Sequence, residues 1–387
     1  MSESVRHQPY ELAQYQSLPL RAKVSMTKTR IRQWYEHFDG DVFVSYSGGK
    51  DSTVLLHLVR QLYPDVKAVF SNTGLEYPCI VDMAKKQENI TIIRPTWGGR
   101  AKEIGKKPDD VAVFRDVVKI FGYPIISKDV SGSIDDARKG KPGEKERQRW
   151  QRLTGKSVCS DGRKNPYNLE RYMPLYWLPI RITDRCCHIF KKDPIRKYQR
   201  KEKLKPYVGT MASESLLRRQ SWLKNGCNAY DLDIPASRPL SFWTEQDVLQ
   251  YILENDLEIA SVYGDIVYDD PDGMQYSAKD SLCDTSGCCL HCSGVSRTGC
   301  MFCCFGLHLE KGETHFQTIK RLYPKIYDYC IGGGEWVENQ TYSKEYEGNG
   351  RTWNPKKIWQ PNNQGLGLGK VFEMVNEIYG KDFFRYE

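Results

Sequence analysis

Residues 41–63 read DVFVSYSGGKDSTVLLHLVRQLY. Asp41 to Ser45 is a short apolar run suited to a buried strand, and a Ser-Gly-Gly turn follows at once. From Ser52 onward Val54, Leu55, Leu58 and Leu62 recur at helical spacing. The order strand, glycine turn, helix sets a loop against a helix N-terminus. Gly48 and Gly49 let backbone N–H groups approach a phosphate without a Cβ in the way, and the helix end adds a positive field. Ser47 and Ser52 bring hydroxyl donors, and Lys50 brings a charge. The spacing is not the G-x-x-x-x-G-K-[ST] of the mononucleotide P-loop.

Beyond this stretch, VKAVFSN (66–72) reads as a second strand, a helix carrying Val81, Met83 and Ala84 follows, and ITIIRP (90–95) reads as a third strand. Strands alternating with helices predict an α/β fold, a doubly wound parallel sheet covered on both faces. Right-handed crossovers then collect the strand C-terminal ends, and any ligand, on one edge. Residues 1–40 read as an N-terminal helical segment in which IRQWYEHF is amphipathic and Gly40 ends the helix. Residues 41–282 form the nucleotide-binding domain, interrupted by a basic insertion near 102–164. That insertion, with DDARKGKPGEKERQRWQRL, reads as helices joined by a flexible, exposed connection. YVGTMASESLLRRQSW (207–222) reads as a strand entering a helix, with the N-cap near Ser213 and Glu214 in the first turn. TEQDVLQYILEN (244–255) is a further helix. Residues 283–387 form a cysteine-rich metal-binding region and a C-terminal tail. No regular structure is expected from Cys283 to Gly306, nor clear periodicity from Gly332 to Gly369; a last helix spans about Val371 to Tyr379.

Composition sets the class. The chain has 387 residues, 40% of them hydrophobic and 27% charged, which fits a soluble globular protein and excludes collagen-like or wholly disordered chains. No run of ~18 apolar residues occurs, and MSESVRHQPYELAQ lacks the basic-then-apolar pattern of a signal peptide. The expectation is a cytoplasmic protein without a membrane partner. The net charge of +8 is concentrated in the middle of the chain: Arg138 to Lys164 holds ten Lys/Arg against three acids, and Arg185 to Lys205 nine against two. Such runs read either as solvated charged faces or as surfaces for a polyanion, nucleotide or nucleic acid. Thirteen cysteines, seven of them between Cys283 and Cys304, ask for metal or sulfur chemistry in a reducing compartment rather than disulfides.

The sequence Ser47-Gly48-Gly49-Lys50-Asp51-Ser52 resembles the pyrophosphate (PP) loop of the ATP-pyrophosphatase superfamily, whose members have the adenine nucleotide alpha hydrolase-like fold and split ATP to AMP and pyrophosphate. The resemblance implies that Ser47, Gly48, Gly49 and Ser52 bind phosphate, and that Asp51 and Lys50 are catalytic, with Asp51 organising Mg²⁺. SNTGLEYP (71–78) resembles the D-T-G-x-E-x-P segment of the phosphoadenosine phosphosulfate (PAPS) reductase and ATP sulfurylase branch, so Asn72, Thr73, Gly74 and Glu76 are expected near adenosine, with Asn72 where Asp is usual. GYPIISKDVS (122–131) resembles another loop of that branch. VGTMASESLLRR (208–219) resembles its G-x-R-x-x-E-S-x-x-R motif, which implies phosphate or sulfate binding by Glu214, Ser215, Arg218 and Arg219, although Thr210, Met211 and Ala212 supply no Arg.

Cys186 and Cys187 in CCHIFKKDP resemble the C-C-x-x-x-K-x-x-P segment of the iron–sulfur members of this branch, and Cys300 and Cys303 in RTGCMFC supply the distant C-x-x-C. Four thiolates suit a 4Fe-4S cluster or a tetrahedral Zn²⁺, and spacing alone does not choose. An adjacent pair is awkward for one zinc ion, and the resemblance implies the cluster. Lys191, Lys192, Arg196 and Lys197 would offset its negative charge. Cys283, Cys288, Cys289 and Cys292, beside His291, read either as a second metal group for structural Zn²⁺ or as sulfur-carrying or spare thiols.

A sulfonucleotide (PAPS or adenylyl sulfate) reductase needs a mobile cysteine in E-C-G-[IL]-H; here the last 57 residues hold no cysteine, and FGLH (305–308) has Phe where the nucleophile would stand. The complete SGGKDS favours ATP-dependent sulfur transfer, in which a substrate oxygen is adenylated and replaced by sulfur. DNA phosphorothioation ATP-pyrophosphatases are similar in their C-C and C-x-x-C segments, and tRNA thiolation enzymes share the logic. The implied partners are ATP, a nucleic acid (DNA or tRNA) facing the basic middle segment, and a cysteine desulfurase or other sulfur donor. The third reading is a cluster-bearing nucleic-acid binder or redox sensor with a vestigial nucleotide site.

Overall fold

The computed structural model describes residues 7–139, 144–270, 274–279, 289–347 and 352–387. The chain packs as two compact units, one formed by residues 1–95 and 193–298, the other by 96–192 and 299–387.

The first unit opens with α1 (Pro9–Gln16) and α2 (Leu20–His37). Lys23, Thr27, Ile31 and Trp34 lie on the buried stripe of α2, at the spacing that keeps one helix face inward. Lys23 is tolerated there because its Nζ donates to both carboxylate oxygens of Asp247 at 2.7 Å and to the Gln16 carbonyl at 2.7 Å. Strand β1 (Val42–Tyr46), α3 (Lys50–Leu62), β2 (Ala68–Ser71), α4 (Pro78–Lys86) and β3 (Ile90–Ile93) follow in the alternation that the sequence predicts. Phe43, Val44, Val54, Leu55, Leu58 and Val69 are wholly buried, each contributing about 1.5–3 kcal/mol by leaving water.

The chain then builds the first part of the second unit: α5 (Phe114–Phe121), β4 (Ile125–Ile126), α6 (Lys128–Arg138) and α7 (Glu144–Leu153). The helices expected here are present, and the connection expected between them, residues 140–143, lies outside the described residues; several of the charges on the helices are used internally. Arg152 and Arg149 of α7 pair with Asp129 of α6 at 2.5 and 3.3 Å. Arg138 donates to the carbonyls of Leu175, Tyr176, Leu178 and Ile180, and its guanidinium lies 4.3 Å from the Trp353 ring centroid.

Back in the first unit come α8 (Asp193–Glu202), β5 (Lys205–Val208), α9 (Leu216–Asn225), β6 (Asn228–Ala229), β7 (Ala236–Ser237) and α10 (Glu245–Glu254). The cap of α9 is Ser215, whose hydroxyl accepts from the Arg218 N–H, and Glu214 sits in the preceding 3₁₀ turn rather than in the helix. The central sheet has the order β3-β2-β1-β5-β7-β6, with every neighbouring pair parallel except β7 with the edge strand β6. Strand order reverses at β1, since β2 and β3 lie on one side and β5 on the other. The crevice at the C-terminal end of β1 is therefore the topological switch point, where doubly wound sheets take their ligands.

A small antiparallel sheet of β8 (Ile266–Asp269), β9 (Gln275–Ser277) and β10 (Leu290–Cys292) closes the first unit. The second unit ends with β11 (Cys304–Phe305) paired parallel to β4, then α11 (His315–Leu322), α12 (Pro324–Ile331), the antiparallel pair β12 (Glu335–Glu338) and β13 (Lys357–Gln360), and α13 (Leu368–Tyr379). Strands β10 and β11 thus fall in the cysteine-rich stretch expected to lack regular structure, and β12 and β13 in the tail without periodicity. Their pairing partners lie far away in sequence or across a long connection, where local pattern carries no signal. No helix among the described residues is long and apolar enough to cross a membrane.

Candidate functional site

The glycine loop occupies the switch point. Gly48 has φ +73°, and a Cβ there would meet Ile80 Cγ2 at 2.7 Å, so the tight turn requires glycine. Gly49, in extended backbone, caps α3. Ser47 and Ser52, expected to face phosphate, are joined by their hydroxyls at 3.0 Å, and Ser52 donates to the Gly49 carbonyl at 2.9 Å. The two serines brace the loop. Gly209, just past β5, brings that strand's end against α3, since a Cβ would meet the Asp51 carbonyl oxygen at 3.1 Å.

Asp51 and Lys50 stand together at the head of α3, with Lys50 Nζ 3.9 Å from Asp51 Oδ1. Burial holds the Asp51 carboxyl above its usual range, against the pull of Lys50, Arg297 and Arg218. Its Oδ1 is buried and has no hydrogen-bond partner. A buried carboxylate oxygen that accepts no hydrogen bond on a phosphate loop is the donor that a hard divalent cation takes, so the residues present fit Mg²⁺. Lys50 is only 3% exposed. Burial alone would depress it, but Asp51, Tyr263 and Glu245 outweigh that and keep it raised. Its Nζ donates to the Ser296 carbonyl at 2.8 Å and pairs with Glu245 at 3.1 Å.

The motif at the start of α9 reaches the same place. Glu214 accepts the Met211 N–H at 2.7 Å, pairs with Arg218, and takes a hydrogen bond from Arg297 at 3.0 Å. Burial lowers the Arg218 pKa, and Arg297 and Arg238 are among its charged neighbours. Arg238 carries a buried Nη1 with no partner. Arg218 and Arg297, both bound to Glu214, thus act on Asp51, and Arg238 stands near Arg218. Ser215 serves as a helix cap and Arg219 is exposed. After β2, Asn72 Oδ1 accepts the Gly74 N–H at 3.1 Å, and Glu76 accepts from Thr73 N at 3.0 Å and Thr73 Oγ1 at 2.7 Å. Asn72 thereby closes the turn that its own side chain starts. These four residues shape the loop beside the switch point.

Residues that the sequence did not single out complete the site. Tyr263, Glu245, Ser296, Arg297 and Thr298 all contact the loop or its motif residues. Of these, only Arg297 and Thr298 had a local signal, as the first two residues of RTGC. Cys292 is also a neighbour: burial pushes its thiol up to about 11, and Lys50, Glu245 and Asp51 all act on it. Cys289 is exposed. Cys283 and Cys288 lie outside the described residues, so the second metal group is half described.

In the second unit, Cys186 and Cys187 precede the π-helical turn His188–Lys192. The two thiols share a hydrogen bond; Cys186 is pushed up by it and by burial, with Cys303 and Cys300 also acting on it. Cys187 is drawn down by the same bond, with Lys128, Lys191 and Lys192 adding to the effect. Cys303 is pushed up to about 12 by burial, with Cys300 and Cys187 as neighbours, and its N–H donates to the Cys300 carbonyl at 3.0 Å. The four thiols are brought within electrostatic reach of one another beside three lysines. In number and softness they fit a four-thiolate cluster. Among the described residues no group of three or more His, Cys, Asp or Glu side chains is already arranged to hold a metal ion.

The phosphoadenosine phosphosulfate reductase domain family matches residues 41–102 and 160–304, more than half of the chain. No curated protein matches. Among solved structures, a phosphoadenylyl-sulfate (PAPS) reductase from Candida auris in its phosphate complex is similar, with 14% identity, 67% of this chain and 92% of that chain covered, and a TM-score of 0.33. FMN adenylyltransferase from Candida glabrata is similar at 11% identity, covering 71% and 75%, TM-score 0.32; its complex with ATP is similar at 12% identity, covering 71% and 74%, TM-score 0.32.

Proposed function

Because the chain belongs to the phosphoadenosine phosphosulfate reductase domain family, a family of enzymes, we propose that it is an ATP pyrophosphatase that activates an acceptor oxygen as an adenylate for replacement by sulfur. The observation that carries this reading is Asp51 Oδ1, buried and accepting no hydrogen bond on an intact phosphate loop, 3.9 Å from the Lys50 ammonium. Asp51 would hold Mg²⁺ on the triphosphate, and Lys50 with the loop N–H groups would hold the departing pyrophosphate. The acceptor oxygen attacks the α-phosphorus, the α–β bridging bond breaks, and pyrophosphate leaves. A sulfur donor at the sulfide level then displaces AMP, exchanging oxygen for sulfur with no net oxidation.

Cys186, Cys187, Cys300 and Cys303 would hold a 4Fe-4S cluster. When bound, the cluster supplies a place to handle sulfur and electrons. Arg218, Arg238 and Arg297 favour an anionic acceptor, which supports a nucleic acid, DNA or tRNA. Reduction of a sulfonucleotide has less support: Phe305 stands where the nucleophilic cysteine would be, and it is fixed in β11 opposite Ile126 of β4.

The test is pyrophosphate release from ATP by anaerobically purified protein, supplied with a sulfur donor and with DNA or tRNA. Absence of release under every combination sinks the reading. Sulfite formed from adenylyl sulfate with a thiol reductant would put the reductase in its place.

A further inference from the structure

The loop that should be open to phosphate is already occupied by the protein itself. The Lys50 N–H, which heads α3 and would donate to a phosphate oxygen, donates instead to the Tyr263 hydroxyl at 3.2 Å. That hydroxyl is hydrogen-bonded to Thr298 Oγ1 at 2.7 Å. A Cβ on Gly49 would meet Tyr263 Oη at 3.1 Å and Thr298 Oγ1 at 3.2 Å, so the two hydroxyls fill the space that the glycine leaves. The Lys50 Nζ is held by the Ser296 carbonyl at 2.8 Å. Backbone bonds from Gly294 N to the Tyr263 carbonyl at 2.8 Å, and from Val295 N to the Val262 carbonyl at 3.0 Å, bind the 293–298 segment to Tyr263 as one block.

We infer that Tyr263 and residues 293–298 form an internal ligand of the phosphate loop, an autoinhibitory latch that a pyrophosphate group must displace to bind. The inference rests on the loop being a nucleotide site. A phenol oxygen and a carbonyl oxygen take the loop amide and the loop ammonium, the two donors a bound phosphate would claim. Tyr263 is only 2% exposed, so its hydroxyl is a fixed competitor rather than a surface side chain in passing contact. Entry of phosphate exchanges one set of acceptors for another, and the apparent affinity is reduced by the fraction of molecules that are latched.

Two measurements on the full chain test this. Calorimetric titration with inorganic pyrophosphate and Mg²⁺ compares wild type with Tyr263→Phe and Thr298→Ala. Removing one latch hydrogen bond is expected to tighten binding roughly three- to tenfold. Hydrogen exchange without ligand is expected to quicken several-fold at the Lys50 amide in Tyr263→Phe, a readout independent of nucleotide. Equal or weaker pyrophosphate binding by both variants overturns the latch while leaving the nucleotide reading intact, since weaker binding would make the hydroxyls ligand contacts. Unchanged exchange at Lys50 overturns it as well. Failure of every form to bind pyrophosphate overturns the latch and the nucleotide reading together.

Discussion

Glu214 accepts a hydrogen bond from Arg297 at 3.0 Å and so ties the turn that opens α9 to the segment just before Cys300. The same carboxylate pairs with Arg218 and takes the Met211 N–H. Its side chain is 13% exposed, so these charged hydrogen bonds act in a partly desolvated setting. Glu214→Ala frees both guanidiniums and leaves the Met211 amide without its acceptor. The expected loss is about 2 kcal/mol of site organisation, or roughly thirtyfold in ATP cleavage. Pyrophosphate-release kinetics measure it.

Asp51→Asn keeps the size of the side chain and removes the charge that Mg²⁺ requires. ATP cleavage is expected to fall on the order of 10²–10³-fold, while the melting temperature holds, because Asp51 Oδ1 accepts no hydrogen bond and Lys50 keeps its closer pairing with Glu245 at 3.1 Å. A matching drop in stability would show Asp51 to be structural. Chelation of Mg²⁺ should reproduce the loss of activity in the wild-type protein.

Lys23→Met removes the partner of Asp247 and leaves a carboxylate that is 8% exposed without its cation. The expected cost is about 3–5 kcal/mol, read by urea denaturation. The pair joins α2 to α10, so the damage should fall on the first unit.

Asp129 is held below the usual carboxylate range by its hydrogen bonds from Arg152, with Arg149 adding to the effect. A depressed folded-state value means that the stabilisation is present above the unfolded value of about 3.9 and is lost as the pH falls through the folded one. Asp129 is half exposed, so the contribution is about 1 kcal/mol at most. Denaturation curves for wild type and Asp129→Asn should differ at neutral pH and converge below about pH 4.

Cys303→Ser should strip iron and the brown absorbance from anaerobically purified protein, whereas Cys292→Ser should retain both. Cys292 belongs with the phosphate loop, and Cys303 with Cys186, Cys187 and Cys300. Full iron content in Cys303→Ser would remove the quartet from consideration.

Arg138 marks where reading charge from sequence fails. It belongs to a run that reads as a solvated face or a polyanion surface, yet its guanidinium lies inside the second unit. Residues 170–177 form a 3₁₀ stretch containing Pro174, and the carbonyls of Leu175, Tyr176, Leu178 and Ile180 find their donor in Arg138. The need for that donor arises in a segment about forty residues away. The cap of α9 shows the same limit on a smaller scale: Glu214 is taken up by Arg297 and the Met211 amide, and Ser215 becomes the cap.

The strand, glycine turn and helix of residues 41–63, the alternation that makes the sheet parallel, and the place of Lys50 and Asp51 at the head of that helix were all legible in the sequence. Those features rest on local spacing and on φ values that only glycine adopts freely. Only the tertiary structure decided what lies on the loop. Tyr263, Glu245, Ser296 and Thr298 come to Lys50 from about two hundred residues or more away, through contacts that depend on packing and leave no periodic trace in the chain.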